Sequence, residues 1–269
     1  MVIYELMDFS SWQVEEIPVS GANRKLWLVN NQKRGLFKYQ RDAYSDYWVE
    51  SLASDIFFLA GMVCMKADMG IYHGALGCLC YDFTLEHGTF FEMDDELALF
   101  PNRKKGCYDL TMLRKVVSPT TFNEIQHMLM IDYLIGNFDR HTRNFGILAN
   151  GVLAPVYDNG SSLSYRLKPE DIPALYSNKK RFYANAYVNP ISRCLKSDGK
   201  TVYTNLDLMK VLHATDHRTF KENLDMCCMI SEESLSSVMH NFSGVVDNDL
   251  LGYIKYVVTH RLNTLKEMT

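Results

Sequence analysis

Cysteine is scarce in this chain and follows no pattern. The seven cysteines among 269 residues are an odd number, scattered singly except for Cys227-Cys228. That excludes a zinc-ribbon spacing and a secreted disulfide framework and makes reduced thiols in a cytosol the expectation. A basic excess is missing too. Lys and Arg number 28 against 32 Asp and Glu, a formal net charge of -4, whereas the footprint of a nucleic-acid binder is basic. No apolar run reaches the roughly 18 residues that mark a bilayer-spanning helix, so no membrane span is expected. The opening MVIYELMDFSSW has neither a basic n-region nor a small-residue cleavage site and does not read as a signal peptide. Internal repeats and low-complexity tracts are absent, and His213, His217 and His240 are not spaced as zinc ligands. What is present is 47% hydrophobic residues, enough for one large domain or two lobes around a core. The 14 methionines suit irregular core gaps.

Residues 11 to 39 read as strands: WQVEEIPV alternates, KLWLVN is β-rich, and GLFKY follows the polar turn NNQKR. SGAN, residues 20 to 23, is a tight turn between the first two. Residues 44 to 61 read as a helix with Trp48, Leu52, Ile56 and Leu59 on one face and Gly61 as its stop. Two more strands follow, joined at His73-Gly74. Residues 84 to 106 read as a connection, with the acidic cluster Glu92, Asp94, Asp95 and Glu96 as a solvated face rather than a cation site. Ser118-Pro119 starts a long helix that ends at Gly136. FGILA and VLAPVY form a hairpin about Asn150-Gly151. Residues 159 to 205 have few periodic apolar positions and read as a long, partly ordered segment, with Lys179, Lys180 and Arg181 in a solvated loop. Helices then cover about 206 to 214, 217 to 229, 231 to 242 and 247 to 267, and Arg261, amid the apolar face of the last, is expected to be paired inside the helical lobe.

The chemistry concentrates in GNFDRHTRN, residues 136 to 144, where a buried helix turns out into a loop. Asp139 precedes Asn144 by five residues, and Asp158 follows the Asn150-Gly151 hairpin. Phosphoryl transfer requires that order: a carboxylate to orient the acceptor hydroxyl and take its proton, then two oxygen ligands for Mg²⁺. Asp139 is therefore the candidate base, and Asn144 and Asp158 the candidate metal ligands. Upstream, Ser20, Gly21, Ala22 and Asn23 could lay backbone N–H groups over phosphates. Lys38 lies on the next strand, Glu50 on the next helix where it can pair with Lys38, and Tyr81 in the Cys80-Tyr81-Asp82 hinge against adenine. His141 is either a second base or a prop for the loop. Arg140 could offset charge near Asp139 or contact phosphate. Asp132, amid apolar residues, needs partners and is expected to bond loop N–H groups or His141.

LIGNFDRHTRNFGIL followed by APVYDNGSSL resembles the catalytic core of the HipA-like serine/threonine kinases, and within them the compact CtkA-like branch. SGANRKLWLV is similar to that family's phosphate loop, GLFKY to its lysine strand and VESLAS to its glutamate helix, and Asp132 also matches a family position. The resemblance spans roughly residues 15 to 265 and is densest over 128 to 163. It implies an α+β, two-lobed protein-kinase-like fold, with an antiparallel sheet and one helix in the N-terminal lobe and a mainly helical C-terminal lobe. The implied division is a nucleotide-binding lobe over 1–83, a connection over 84–106, and a helical lobe over 107–269 that holds the catalytic loop 136–146 and a metal-binding segment 156–162. It further implies ATP and Mg²⁺ as cofactors, a Ser or Thr acceptor on a protein substrate, a HipB-like antitoxin as a partner, and a place in the cytosol or as an exported effector. Two positions depart from the pattern. The chain is too short for the extra N-terminal subdomain of full-length HipA toxins, and Pro18 stands where those toxins carry a regulatory serine, with Ser20 only a neighbour. Phosphoinositide kinases carry a similar Asp-Arg-His-x-x-Asn loop, so a lipid or small-molecule kinase is one alternative; a pseudokinase or toxin–antitoxin interaction module is another.

Overall fold

The computed structural model describes residues 3–19, 23–41 and 43–269. A six-stranded sheet occupies the N-terminal third, built from β1 (Met7–Asp8), β2 (Gln13–Glu15), β3 (Lys25–Asn30), β4 (Lys33–Tyr39), β5 (Ala67–Tyr72) and β6 (Ala75–Tyr81). The spatial order is β1-β5-β6-β4-β3-β2. The pairings are antiparallel except at one edge, where the two-residue β1 runs parallel to β5. Side chains alternate across a strand, and β4 shows the consequence. Phe37 is buried with Phe9, Leu28, Tyr72 and Leu79 on one face. Leu36 packs against Met65, Cys78 and Cys80 on the other, and Lys38 shares that second face.

The single long helix of this lobe, α1 (Val49–Leu59), starts later than its apolar pattern suggests. Residues 44 to 46 are irregular and 47 to 48 form a turn, with the Trp48 indole N–H donating to the Ser45 carbonyl at 2.6 Å. Gly61, at φ +74°, follows its end. Its buried side includes Glu50 beside Leu52, Ala53, Ile56 and Phe57, so α1 brings a carboxylate into a hydrophobic seam.

The stretch expected as a mere connection contains α2 (Thr84–His87), β7 (Phe90–Glu92) and α3 (Met93–Glu96). β7 pairs antiparallel with β8 (Gly146–Leu148), directly after the candidate loop. The acidic cluster is correspondingly not a plain solvated face. Asp94 accepts from the Thr142 hydroxyl and from Arg103, both at 2.5 Å, and its backbone N–H donates to the Thr142 carbonyl.

The helical lobe is built from α4 (Leu110–Val116), α5 (Pro119–Ile135), α6 (Ile172–Ser177), α7 (Lys179–Tyr183), α8 (Asn205–Thr215), α9 (His217–Cys227), α10 (Glu232–Asn241) and α11 (Asn248–Lys266). Ser118 caps α5 by accepting from the Thr121 N–H, with Pro119 at the first helical position. At its other end Gly136 adopts the left-handed conformation, φ +68°, the stop that glycine makes cheaply. The Asn150-Gly151 turn is present, with the Leu148 N–H donating to the Val152 carbonyl; the second arm of the hairpin is reduced to a bridge between Ile147 and Leu153. Residues 159 to 205 are ordered, contrary to the partly ordered segment expected. They hold α6, α7, a π turn over Ala184–Val188, and the ribbon β9 (Ile191–Leu195) and β10 (Val202–Thr204). Lys179, Lys180 and Arg181 are exposed but helical, started by the Asn178 cap. No helix among the described residues is long and apolar enough to cross a membrane.

Candidate active site between the lobes

Lys38 on β4 stands opposite Lys25 on β3, so both side chains leave the same face of the sheet, toward the helical lobe. The Lys38 ammonium lies 2.5 Å from Glu50 Oε1 and 2.8 Å from Asp158 Oδ1. The second Glu50 oxygen accepts the Asn159 backbone N–H at 2.8 Å. Glu50 therefore ties α1 both to the sheet lysine and to the segment after the hairpin. Burial alone would depress the Lys38 pKa, but the neighbouring Asp158 and Glu50 charges outweigh it and hold the group well above its ordinary value. Asp158 shows the converse: burial would raise its carboxyl, and Lys38 pulls it down to about 2. The Asp158 backbone is left-handed, φ +57°, a conformation that Asp tolerates better than most residues.

The loop after α5 is held by a buried carboxylate. Asp132 accepts from Arg140 Nε and Nη2, both at 2.8 Å, and from Asn137 Nδ2 at 2.9 Å. Arg140 also donates to the Asn144 and Tyr157 carbonyls at 2.7 and 2.6 Å and to Asn159 Oδ1 at 2.5 Å. This forked geometry is the strong form of a charge-assisted hydrogen bond. It corrects two expectations: Asp132 meets neither His141 nor a loop N–H through its side chain, and Arg140 faces neither Asp139 nor the cavity. Arg140 is 2% exposed and Asp132 3%; their pair welds the loop to the Tyr157–Asn159 segment.

Upon this frame Asp139 is placed by its N–H donating to Asn137 Oδ1 at 3.0 Å. One carboxylate oxygen, Oδ1, accepts from Arg193 Nη2 on β9 at 2.5 Å, which leaves Oδ2 without a hydrogen-bond partner among the described residues. Asn144 donates through Nδ2 to the Asp139 carbonyl at 2.8 Å, so its amide oxygen is the free end. His141 accepts the Arg143 N–H on Nδ1 at 3.2 Å, the geometry of a prop, and burial lowers its pKa against the opposing pull of Asp139 and Asp158.

A cavity of about 470 Å³ lies between the lobes, lined by Lys25, Lys38, His141, Asn144 and Asp158 together with both apolar side chains and further charged ones, Arg34, Asp82, Glu92 and Arg143. Phe83, Phe90 and Tyr157 form an aromatic trio on its wall with ring centroids 5.3 to 5.7 Å apart. Tyr81 also borders the cavity, but its ring packs on Trp12 and its hydroxyl donates to Asp68 at 2.8 Å, leaving the backbone to face inward. Ser20, Gly21 and Ala22 lie outside the described residues; Asn23 is exposed in a bend two residues before β3. The structure thus brings Lys38, Glu50 and Asp158 into direct contact and joins Asp139 to Asn144. Lys25, Arg193 and the aromatic trio had no local sequence signature, because each acts through a partner distant in the chain. For Lys25 a trace existed: it lies two residues after Asn23 and shares the strand parity that faces Lys38.

Among the described residues no group of three or more His, Cys, Asp or Glu is clustered to hold a metal. One carboxylate with one amide oxygen nevertheless fits Mg²⁺, which keeps waters and takes its remaining ligands from phosphate. It does not fit Zn²⁺, which wants four protein nitrogen or sulfur donors in a structural site.

The sheet-plus-helix lobe, the helical lobe and the cleft between them define a protein-kinase-like fold, of the HipA-like kind. The chain superposes on the crystal structure of the Helicobacter pylori proinflammatory kinase CtkA with a TM-score of 0.84 at 19% identity, covering 98% of this chain and 97% of that one. It also matches HipA from the Shewanella oneidensis MR-1 toxin–antitoxin complex with HipB and operator DNA, at TM-score 0.54 and 12% identity, over 94% of this chain and 66% of that one. No family model and no curated protein sequence matches the chain.

Proposed function

We propose that the protein is an ATP- and Mg²⁺-dependent phosphotransferase, and specifically a serine/threonine protein kinase. The observation that carries this reading is the contact of Lys38 with both Glu50 and Asp158 across the cleft, in a cavity that also receives Asn144. Bound Mg²⁺·ATP would supply the transferable phosphoryl group and the charge neutralisation it needs. The chain's own residues do the rest. Lys38 and Lys25 present cations to phosphate oxygens, with Glu50 fixing the first. Phe83, Phe90 and Tyr157 offer an apolar wall for a purine. Asn144 Oδ1 and Asp158 offer metal ligands, and Asp139 Oδ2 receives the proton of an acceptor hydroxyl. Phosphoryl transfer is favoured by the likeness to CtkA, a proinflammatory kinase, over nearly the whole length of both chains; a protein acceptor rests on the resemblance of the 136–163 segment to the HipA-like serine/threonine kinases. Pairing with a HipB-like antitoxin rests on the HipA neighbour alone, about a third of which has no counterpart here.

The test is transfer from radiolabelled ATP to protein, phosphoinositide and sugar acceptors. Label should enter serine or threonine of protein. Asp139→Ala should lower transfer by about 100-fold or more while nucleotide affinity holds, and Asp158→Ala should weaken Mg²⁺·ATP binding itself. Full autophosphorylation by the Asp139 variant, or label confined to lipid or sugar, would overturn the assignment.

A further inference from the structure

A second cavity, of about 310 Å³, opens on the helical lobe and shares no lining residue with the interlobe cleft. Its wall includes Gly136 and Phe138, just ahead of Asp139, together with Ser164, Tyr165 and Arg166 and, from the opposite side, Asn185 and Arg261. Two arginines and no carboxylate line it. Arg261 is 3% exposed. Its donors reach only carbonyls: Nε and Nη2 the Ala186 oxygen at 3.0 and 2.8 Å, and Nη1 the Leu134 oxygen at 2.9 Å. A guanidinium carries five N–H groups, so two of them remain for another acceptor. Burial pushes the Arg261 pKa down to about 10, and the groups that partly offset this are the tyrosines 133, 187 and 253 rather than any acid. A buried cation without a counter-charge is costly.

Arg166 is the other charged residue on the wall, and the remaining lining is neutral. Arg166 donates Nε to the Tyr165 hydroxyl at 2.7 Å and lies over the Phe138 and Tyr165 rings, with no carboxylate partner among the described residues. Arg41, which lies outside the cavity's lining and is paired with Asp46, donates to the same hydroxyl at 3.0 Å. Asn185 accepts the Tyr253 hydroxyl on Oδ1 at 2.8 Å, which turns its NH₂ donors elsewhere. Phe138 and Tyr165 stack at 17° and stiffen the floor.

We propose that this cavity is an anion-binding site for the phosphate or carboxylate group of a peptide, with Arg261 and Arg166 as the charged contacts and Asn185 as a further donor. It stands beside Asp139 on the loop's other side, so a peptide anchored there has its neighbouring residues at the loop. The anion site stands on the cavity's own residues, whereas the choice of a peptide as its occupant rests on the proposed role of Asp139.

The test combines a tungstate soak of crystals of the full chain with titration of phosphoserine, serine and glutamate peptides of one common sequence, and of inorganic phosphate, followed by calorimetry. Anomalous density is expected against Arg261 and Arg166. The phosphoserine and glutamate peptides should bind more tightly than the serine peptide, and Arg166→Ala, whose side chain is exposed enough to be removed without unfolding, should weaken both by about tenfold. Binding of inorganic phosphate but not of the peptides would restrict the site to the free ion and overturn the peptide proposal. Density confined to the interlobe cleft, or affinities unchanged in Arg166→Ala, would overturn the site altogether. Loss of phosphoryl transfer in every assay, with peptide binding intact, would remove the kinase reading and leave this one.

Discussion

At the scale of single residues, the candidate loop depends less on its exposed groups than on a buried pair beneath them. Asp132 and Arg140 satisfy each other in a fork, and Arg140 alone meets the carbonyls of Asn144 and Tyr157. Removing one partner strands a buried charge, so Arg140→Met or Asp132→Leu should each cost about 3–5 kcal/mol. The double variant removes both charges and should show a favourable coupling of about 1–3 kcal/mol. Urea denaturation of the four proteins checks this, and strict additivity would mean that the pair does not act as a unit. The same residues mark how far the sequence could be read. Asp139, Asn144 and Asp158 are legible because a loop and a hairpin fix their separation locally. The direction in which Arg140 points is not, because it depends on Tyr157 and Asn159 arriving from beyond the hairpin. Arg193 is further removed still. It lies 54 residues after Asp139, on a strand held by the Leu195 N–H donating to the Tyr108 carbonyl, and nothing near it in sequence announces that strand.

At the scale of elements, α5 aims the site. It is long, capped by Ser118 and stopped by Gly136, and such helices declare themselves through caps and period. The elements of 159 to 205 do not, since helices of five or six residues are too short to establish a period. β1 is invisible for the same reason, being two residues whose only strand partner is β5. The stop at Gly136 carries a prediction. At φ +68° any other residue is strained, and an added Cβ would stand 2.6 Å from Arg261 Nη1, a side chain fixed on both sides by carbonyls. Gly136→Ala should therefore lose about 1–3 kcal/mol and displace Phe138 and Asp139 together. The measurements are a denaturation midpoint and the rate of transfer. An alanine variant of unchanged stability would show that the Arg261 end of α11 yields freely, against its burial.

At the scale of the whole molecule, acid stability reports on groups far from the cleft. His127 on α5 is 7% exposed, and its Nε2 has no hydrogen-bond partner. Burial lowers its pKa from 6.5 to about 4. As pH falls, the unfolded chain takes up this proton first, so the contribution of neutral His127 is complete above about 6.5 and disappears as pH falls to about 4. The loss is about 3 kcal/mol over that window. Asp55 works the other way. Burial, opposed by the Tyr4 hydroxyl, raises its carboxyl from 3.8 to about 6, so the folded chain takes up that proton first and gains stability as pH falls through the same range. Asp158, held near 2, adds a further loss only below about 4. Between pH 6.5 and 4 these two groups give opposite slopes, with His141, lowered by burial, adding to the falling side and Glu92, raised by burial, to the rising side. Replacing His127 by Met should remove its falling component and make the loss of stability between pH 6.5 and 4 smaller than in the wild type by about 3 kcal/mol. Replacing Asp55 by Asn should do the reverse and steepen the acid loss. Urea midpoints at pH 7, 5.5 and 4 for the three proteins separate the terms, and parallel profiles would show that neither group titrates between the folded and unfolded chains as its surroundings require.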